Sequence, residues 1–152
     1  MITELDKAYL AGVIDSDGCI RLERTQPKNR KNLSYCPRIL VTQTRREVCE
    51  WIGEIFGGPM MTNRRGKTDN SNSLYTWRVS GTKAIEMCKL LEPYLKIKAP
   101  RARVLIEYEE TLFDNRDREE GTFLKIPKKI LDKKERLYQK LKKLNRRGKW
   151  PG

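Results

Sequence analysis

Apolar residues along the chain switch between helical and strand spacing several times. From Glu4 to Ser16 the spacing is helical, and Thr3 with Asp6 three residues on can cap the start. "GCIRLERTQ" then alternates, with Ile20 and Leu22 on one side and Arg21, Glu23 and Thr25 on the other. "QPKNRKNLS" is a polar, basic hairpin tip, and "CPRILVTQ" alternates again, Ile39 and Val41 against Arg38, Leu40 and Thr42. A second helix is expected to open at a Thr44–Glu47 capping box, carry Val48, Trp51, Ile52 and Ile55 on one stripe, and stop at Gly57-Gly58-Pro59. "MMTNRRGKTDNSNSLYTWRVSG" reads as a second hairpin with Arg64, Arg65 and Lys67 at its tip. There Tyr75, Trp77 and Val79 alternate with Thr76, Arg78 and Ser80. Helices are expected from Thr82 to about Glu92, from Pro100 to Leu112, and from Pro127 onward, the last with Ile130, Leu137, Leu141 and Leu144 on its apolar stripe.

Residues 1–93 thus repeat one unit twice, a helix beside a two-stranded ribbon. The expected fold is α+β: helices on one face of a four-stranded antiparallel sheet. The expected organisation is one domain over 1–152, with an αββαββα core over 1–112 and a basic helical extension over 113–152. The sheet's other face carries Arg, Thr and Ser. Two readings fit such a face: an ordinary solvated surface, or a ribbon lying in a DNA groove.

Charge sharpens the choice. Lys and Arg number 33 against 20 acids, a formal net charge of +13, which points to a polyanionic partner. Nucleic acid comes first and an anionic membrane surface second. No run of about 18 apolar residues exists to span a bilayer, and "MITELDKAYL" has acids where a signal peptide is basic. A cytoplasmic or organellar, non-secreted protein without a membrane partner is expected. The cysteines, Cys19, Cys36, Cys49 and Cys88, form no CxxC pair and read as free thiols. Histidine is absent, which excludes a Ser-His-Asp triad, a Cys-His pair and any histidine general base. Catalysis, if present, rests on carboxylates, Lys, Arg, amides or a metal.

Two acids, Asp15 and Asp17, stand where the first helix meets the first strand. A calcium loop starting at Asp15 needs Gly sixth and Glu twelfth; the chain has Ile20 and Gln26. A plain turn accounts for Asp15 or Gly18 singly, but not for the whole nonamer "LAGVIDSDG", Leu10–Gly18. That nonamer resembles the LAGLIDADG motif of homing endonucleases, departing only at Val13 and Ser16. "LVTQT" (Leu40–Thr44) and "LKIKAPRA" (Leu95–Ala102) also look like stretches of the family's single-motif, dimeric branch.

The residues support the resemblance. Ala8, Gly12 and Ser16 share one helix face, a small-residue stripe that another helix could approach, while Leu5, Leu10, Val13 and Ile14 are expected to face the chain's own core. Packing within one chain is the other reading of that stripe. One motif per chain implies a homodimer, with the stripe as its interface. The resemblance further implies that Asp17 ligates a divalent metal with the Ser16 backbone carbonyl beside it, Mg²⁺ first and Mn²⁺ or Ca²⁺ in the same sites. It implies that Gln43 orients water, and that Lys98 and Arg45 or Arg46, with Arg46 taken for the site, add positive charge near the phosphate. Asp15 is expected to be structural, capping the partner helix or a backbone N–H.

The expected function is a homodimeric, site-specific double-strand DNA homing endonuclease, hydrolysing a long, roughly palindromic target. The alternative is a non-cutting nucleic-acid-binding protein on the same fold, a splicing maturase or a regulator. Arg21, Glu23, Thr25, Arg38, Leu40, Thr76 and Arg78 are the candidate base readers. Lys28, Arg30, Arg64, Arg65 and Lys67 are the candidate tip contacts, and the basic tail is a candidate backbone grip.

Overall fold

The computed structural model describes residues 1–63, 73–112 and 126–146. The first helix, α1, is Glu4–Asp17. Its capping box is reciprocal: the Asp6 N–H donates to Thr3 Oγ1 at 3.1 Å, and the Thr3 N–H donates to Asp6 Oδ2 at 2.8 Å. Leu10, Ala11 and Ile14 are buried, but Leu5, expected in the core, is 82% exposed.

The chain passes from α1 into strand β1, Gly18–Thr25, with no loop between. Gly18 makes this possible by its size. A Cβ there would lie 2.6 Å from the Ile14 Cα, inside contact distance.

β2 is Ser34–Gln43, α2 Arg46–Phe56, β3 Met60–Asn63 and β4 Leu74–Ser80. α3 is Thr82–Leu91, α4 Ala99–Tyr108 and α5 Lys128–Leu144, with 3-10 turns at Glu92–Tyr94 and Glu109–Thr111. The sheet order is β1-β2-β4-β3, every neighbour antiparallel. Ile20, Leu22, Ile39, Val41, Trp77 and Val79 are buried on one face, as their alternation predicts, and the helices close over them. The Trp77 Nε1–H donates to the Gly57 carbonyl at 2.7 Å, tying the end of α2 to the sheet. The fold is therefore α+β, a four-stranded antiparallel sheet with helices on one face.

Two boundaries differ from expectation. Thr44 does not cap α2; Arg45 takes that place without a side-chain cap. Gln43 is still in β2, paired with Tyr75, so the chain stays extended too long for a Thr44 cap. The fourth helix ends at Tyr108, short of Leu112, and tightens into a 3-10 turn.

The last helix packs against the body. Leu137 and Leu141 are buried in the same core as α1 and the sheet. Glu135 accepts from both Arg24 and Tyr35 at 2.5 Å, the Arg24 guanidinium lies 4.4 Å from the Tyr138 ring centre, and Asn145 Nδ2 donates to the Ile20 carbonyl at 2.9 Å. Leu141→Ala should therefore cost about 2–5 kcal/mol, read as a fall in Tm by thermal unfolding. Lys142→Ala on the exposed face should stay within about 0.5 kcal/mol. Equal, small effects would mean that the helix is not part of the core.

Candidate nucleic-acid interface and acidic joint

The register of the strands arranges the open face in rows. Arg21, Arg38 and Ser80 are cross-strand partners, Cys19, Leu40 and Arg78 form the next row, and Thr42, Thr76 and Met61 the next. Arg21, Glu23, Thr25, Arg38, Leu40 and Arg78 are at least partly exposed. Thr76 is not: it is 5% exposed, its hydroxyl 3.0 Å from that of Thr42. A short side chain on an inner strand, between Thr42 and Met61, is shaded by its row.

Lys28 and Arg30 are exposed in the first hairpin connection. Arg64, Arg65 and Lys67 lie outside the described residues. Of the cysteines, Cys49 and Cys88 are buried, and Cys19 and Cys36 are half-buried on the open face. Burial raises the Cys88 thiol to about 12, so it stays protonated.

Asp17, the last residue of α1, emerges at the end of this face. Its Oδ2 accepts from Gln43 Nε2 at 2.7 Å and from the Ser16 hydroxyl at 3.3 Å. Asp15 turns the other way. Its two oxygens accept three backbone N–H groups, from Lys96 at 2.7 Å, Ile97 at 3.2 Å and Lys98 at 2.9 Å. The Lys98 ammonium returns the contact, donating to the carbonyls of Ile14 at 2.6 Å and Gly18 at 2.5 Å. A cation at these C-terminal carbonyls is favoured by the helix dipole. Asp15 and Lys98 thus clamp the end of α1 to the entry of α4 from both sides. Burial first, and then the nearby Arg101 guanidinium, push Lys98 below its ordinary pKa, so it gives up a proton more readily than a surface lysine.

Asp17, Gln43 and Lys98 therefore meet at one joint. Arg46 opens α2 with its Nε 2.5 Å from Glu50. Among the described residues no three His, Cys, Asp or Glu side chains gather as a metal cluster. One chain supplies one free-standing carboxylate at this point. That suits Mg²⁺, which accepts one or two carboxylates and completes its shell with water and phosphate. The clamp through Lys98 was not legible in the sequence, because its carbonyl partners carry no side-chain signal. The Glu23–Arg38 ion pair, at 2.5 Å, was in principle legible: in the hairpin register Glu23 is diagonal to Arg38.

No protein-family model and no curated protein matches the chain. Solved structures do. An archaeal intron-encoded homing endonuclease, I-Vdi141I, complexed with DNA, superposes with a TM-score of 0.72 at 19% identity, over 98% of this chain and 89% of that one. The homing endonuclease I-CvuI, in complex with DNA, gives 0.71 at 22% identity, over 97% and 86%. I-SmaMI, a LAGLIDADG homing endonuclease bound to cleaved DNA, gives 0.66 at 16%, over 92% of this chain and 45% of that one.

This chain has the LAGLIDADG homing-endonuclease fold. Its LAGLIDADG-like nonamer is the C-terminal part of α1 and the first residue of β1. The motif's Leu10, Ala11 and Ile14 are core, while Gly12 and Ser16 are exposed together with Ala8. Leu5 and Tyr9 stand exposed on the same helix, the Tyr9 ring edge-on to Trp51 at 4.8 Å. No helix among the described residues is long and apolar enough to cross a membrane.

Proposed function

We propose that the chain is a site-specific double-strand DNA endonuclease acting as a homodimer with a divalent metal. The observation that carries the reading is the acidic joint. Asp17 stands at the end of a basic, open sheet face, hydrogen-bonded to Gln43 and beside the clamped Lys98. A lone carboxylate facing a phosphate repels it unless a cation intervenes.

Asp17, with the Ser16 carbonyl beside it, would hold that cation, Mg²⁺ by its donor chemistry and Mn²⁺ or Ca²⁺ as substitutes. When bound, the cation supplies charge neutralisation and water activation at the phosphate. Gln43 orients Asp17 and offers its remaining amide group to water. Lys98, held by two carbonyls, places a positive charge where charge develops on the phosphate. Arg46 adds a further cation at the start of α2. Asp15 holds the loop that carries Lys98.

Strands of 8 and 10 residues span about 26–33 Å, roughly eight to ten base pairs, so two saddles cover about 16–20 base pairs. The exposed small stripe of α1, with Leu5 and Tyr9 beside it, would pack on its twofold mate. This would bring the two Asp17 carboxylates together, one per strand of DNA. The similar solved structures of I-CvuI are of a homing endonuclease on DNA, one in the presence of Mg and one of Ca.

Incubating the protein with a plasmid that carries the uninterrupted insertion site of its gene, with and without Mg²⁺, tests the reading. Double-strand cutting only with Mg²⁺ is expected. Binding without cutting would instead mark a non-catalytic binder. Affinity should also fall steeply with salt. Neutralising about six phosphates gives a slope of log K against log salt near −5. Anisotropy titrations from low to physiological salt measure it, and a slope shallower than about −2 would take the basic face off the DNA backbone.

A further inference from the structure

On the open face two arginines stand directly opposite each other: Arg21 of β1 is the register partner of Arg38 of β2. Like charges so placed repel. A single carboxylate serves both. Glu23 Oε2 lies 2.5 Å from Arg38 Nη1 and 4.0 Å from Arg21 Nη2. The closer contact is an ion pair without hydrogen-bond alignment. Glu23 Oε2 and Arg38 Nε are both shielded from solvent and lack a hydrogen-bond partner among the described residues. Nevertheless the side chains are not buried as wholes: Arg21 is 45% exposed and Arg38 25%. The cluster therefore carries one surplus positive charge and unsatisfied hydrogen-bonding capacity, across the edge strand β1 and its inner neighbour β2.

We propose that Arg21 and Arg38 read guanine in each half-site, with Glu23 positioning them. The proposal rests on the sheet being a DNA saddle. Guanine alone presents two adjacent acceptors, O6 and N7, in the major groove, and a guanidinium fork donates to both. Adenine sets a donor beside N7, which would face N–H against N–H. Phosphates line the groove walls, whereas the row starts at Arg21 on the edge strand β1 and runs inward through Arg38 to Ser80 on the two inner strands, which face the groove floor if the sheet is a saddle. The place in the site follows from the strand. Arg21 is four residues beyond Asp17, about 13 Å at strand rise, or roughly four base pairs from the scissile phosphate.

The test is selection of bound duplexes from a library randomised over about 20 base pairs, without Mg²⁺, using the full chain. The wild type should enrich a twofold-symmetric site with guanine at that position in each half. Arg21→Ala and Arg38→Ala should each lose the guanine preference there and keep every other position. Each should weaken binding of the selected duplex by about 5- to 150-fold, with Tm unchanged because both side chains are on the open face. Glu23→Gln should keep the guanine but raise affinity for unrelated DNA, narrowing the ratio of specific to non-specific binding. Uniform weakening by the arginine variants with an unchanged enriched sequence would overturn the proposal and make them phosphate contacts. So would an enriched site with no guanine there, while leaving the endonuclease reading standing. A wild type that enriches no sequence would remove both.

Discussion

Asp17→Asn should abolish DNA cleavage and leave binding unchanged or tighter. The substitution keeps the shape of the side chain and its contact with Gln43, since an amide oxygen still accepts from Nε2. It removes the carboxylate charge that would hold a divalent cation at the joint, the Asp15 carboxylate being engaged by backbone N–H groups, and with it the water activation and charge neutralisation that a bound cation would provide. Phosphate repulsion falls at the same time, so affinity has no reason to drop. Asp15→Asn makes the contrast. Its carboxylate accepts three N–H groups, and an amide cannot serve both sides of that loop as an acceptor. It should cost about 1–3 kcal/mol of stability and slow cleavage only by loosening the segment that holds Lys98. Gel-shift affinity, plasmid nicking and thermal unfolding on both variants separate the roles. Full cutting by Asp17→Asn would end the metal assignment.

The same two acids show how far a sequence can be read. Period-two alternation identified Ile20, Leu22, Ile39 and Val41 as the inner face because burial in a sheet leaves that trace directly. The capping box at Thr3 was legible because both partners are local. The identical reading at Thr44 failed because a non-local constraint, the pairing of Gln43 with Tyr75, keeps the chain extended there. Thr76 shows the limit of parity: it is on the open face by alternation yet shaded by its neighbours, which only the register of three strands determines. Asp15 and Asp17 are two residues apart and chemically identical. That they part company, one closing on backbone N–H groups around residue 97 and the other accepting from the Gln43 and Ser16 side chains at the sheet's end, depends on a segment some eighty residues away. Leu5 misleads in the opposite direction. An apolar residue at helical spacing suggests core, but on α1 the exposed Leu5 and Tyr9 continue the small stripe, and their burial would have to come from outside the subunit.

Gly12→Leu tests that last point, and its two expected effects have opposite signs. A Cβ at Gly12 meets nothing within 4 Å in the subunit, so a leucine there disturbs no internal packing. Replacing glycine in an exposed helix should even stabilise the isolated subunit, by roughly 1 kcal/mol. In the proposed dimer the same side chain is driven into a helix–helix contact made close by Ala8, Gly12 and Ser16. Overpacking costs about 1–3 kcal/mol per site, and a twofold axis imposes it twice. The dimer should weaken by about 2–6 kcal/mol, some thirtyfold to more than ten-thousandfold in its dissociation constant. Sedimentation should show a wild-type dimer and a Gly12→Leu monomer. Double-strand cutting should be lost along with dimerisation, because one chain supplies only one Asp17. Thermal unfolding adds a second readout. The wild-type Tm should rise with protein concentration, as linkage to association requires, and the variant's Tm should not. A Gly12→Leu protein that stays dimeric and cuts both strands would place the interface elsewhere than on α1.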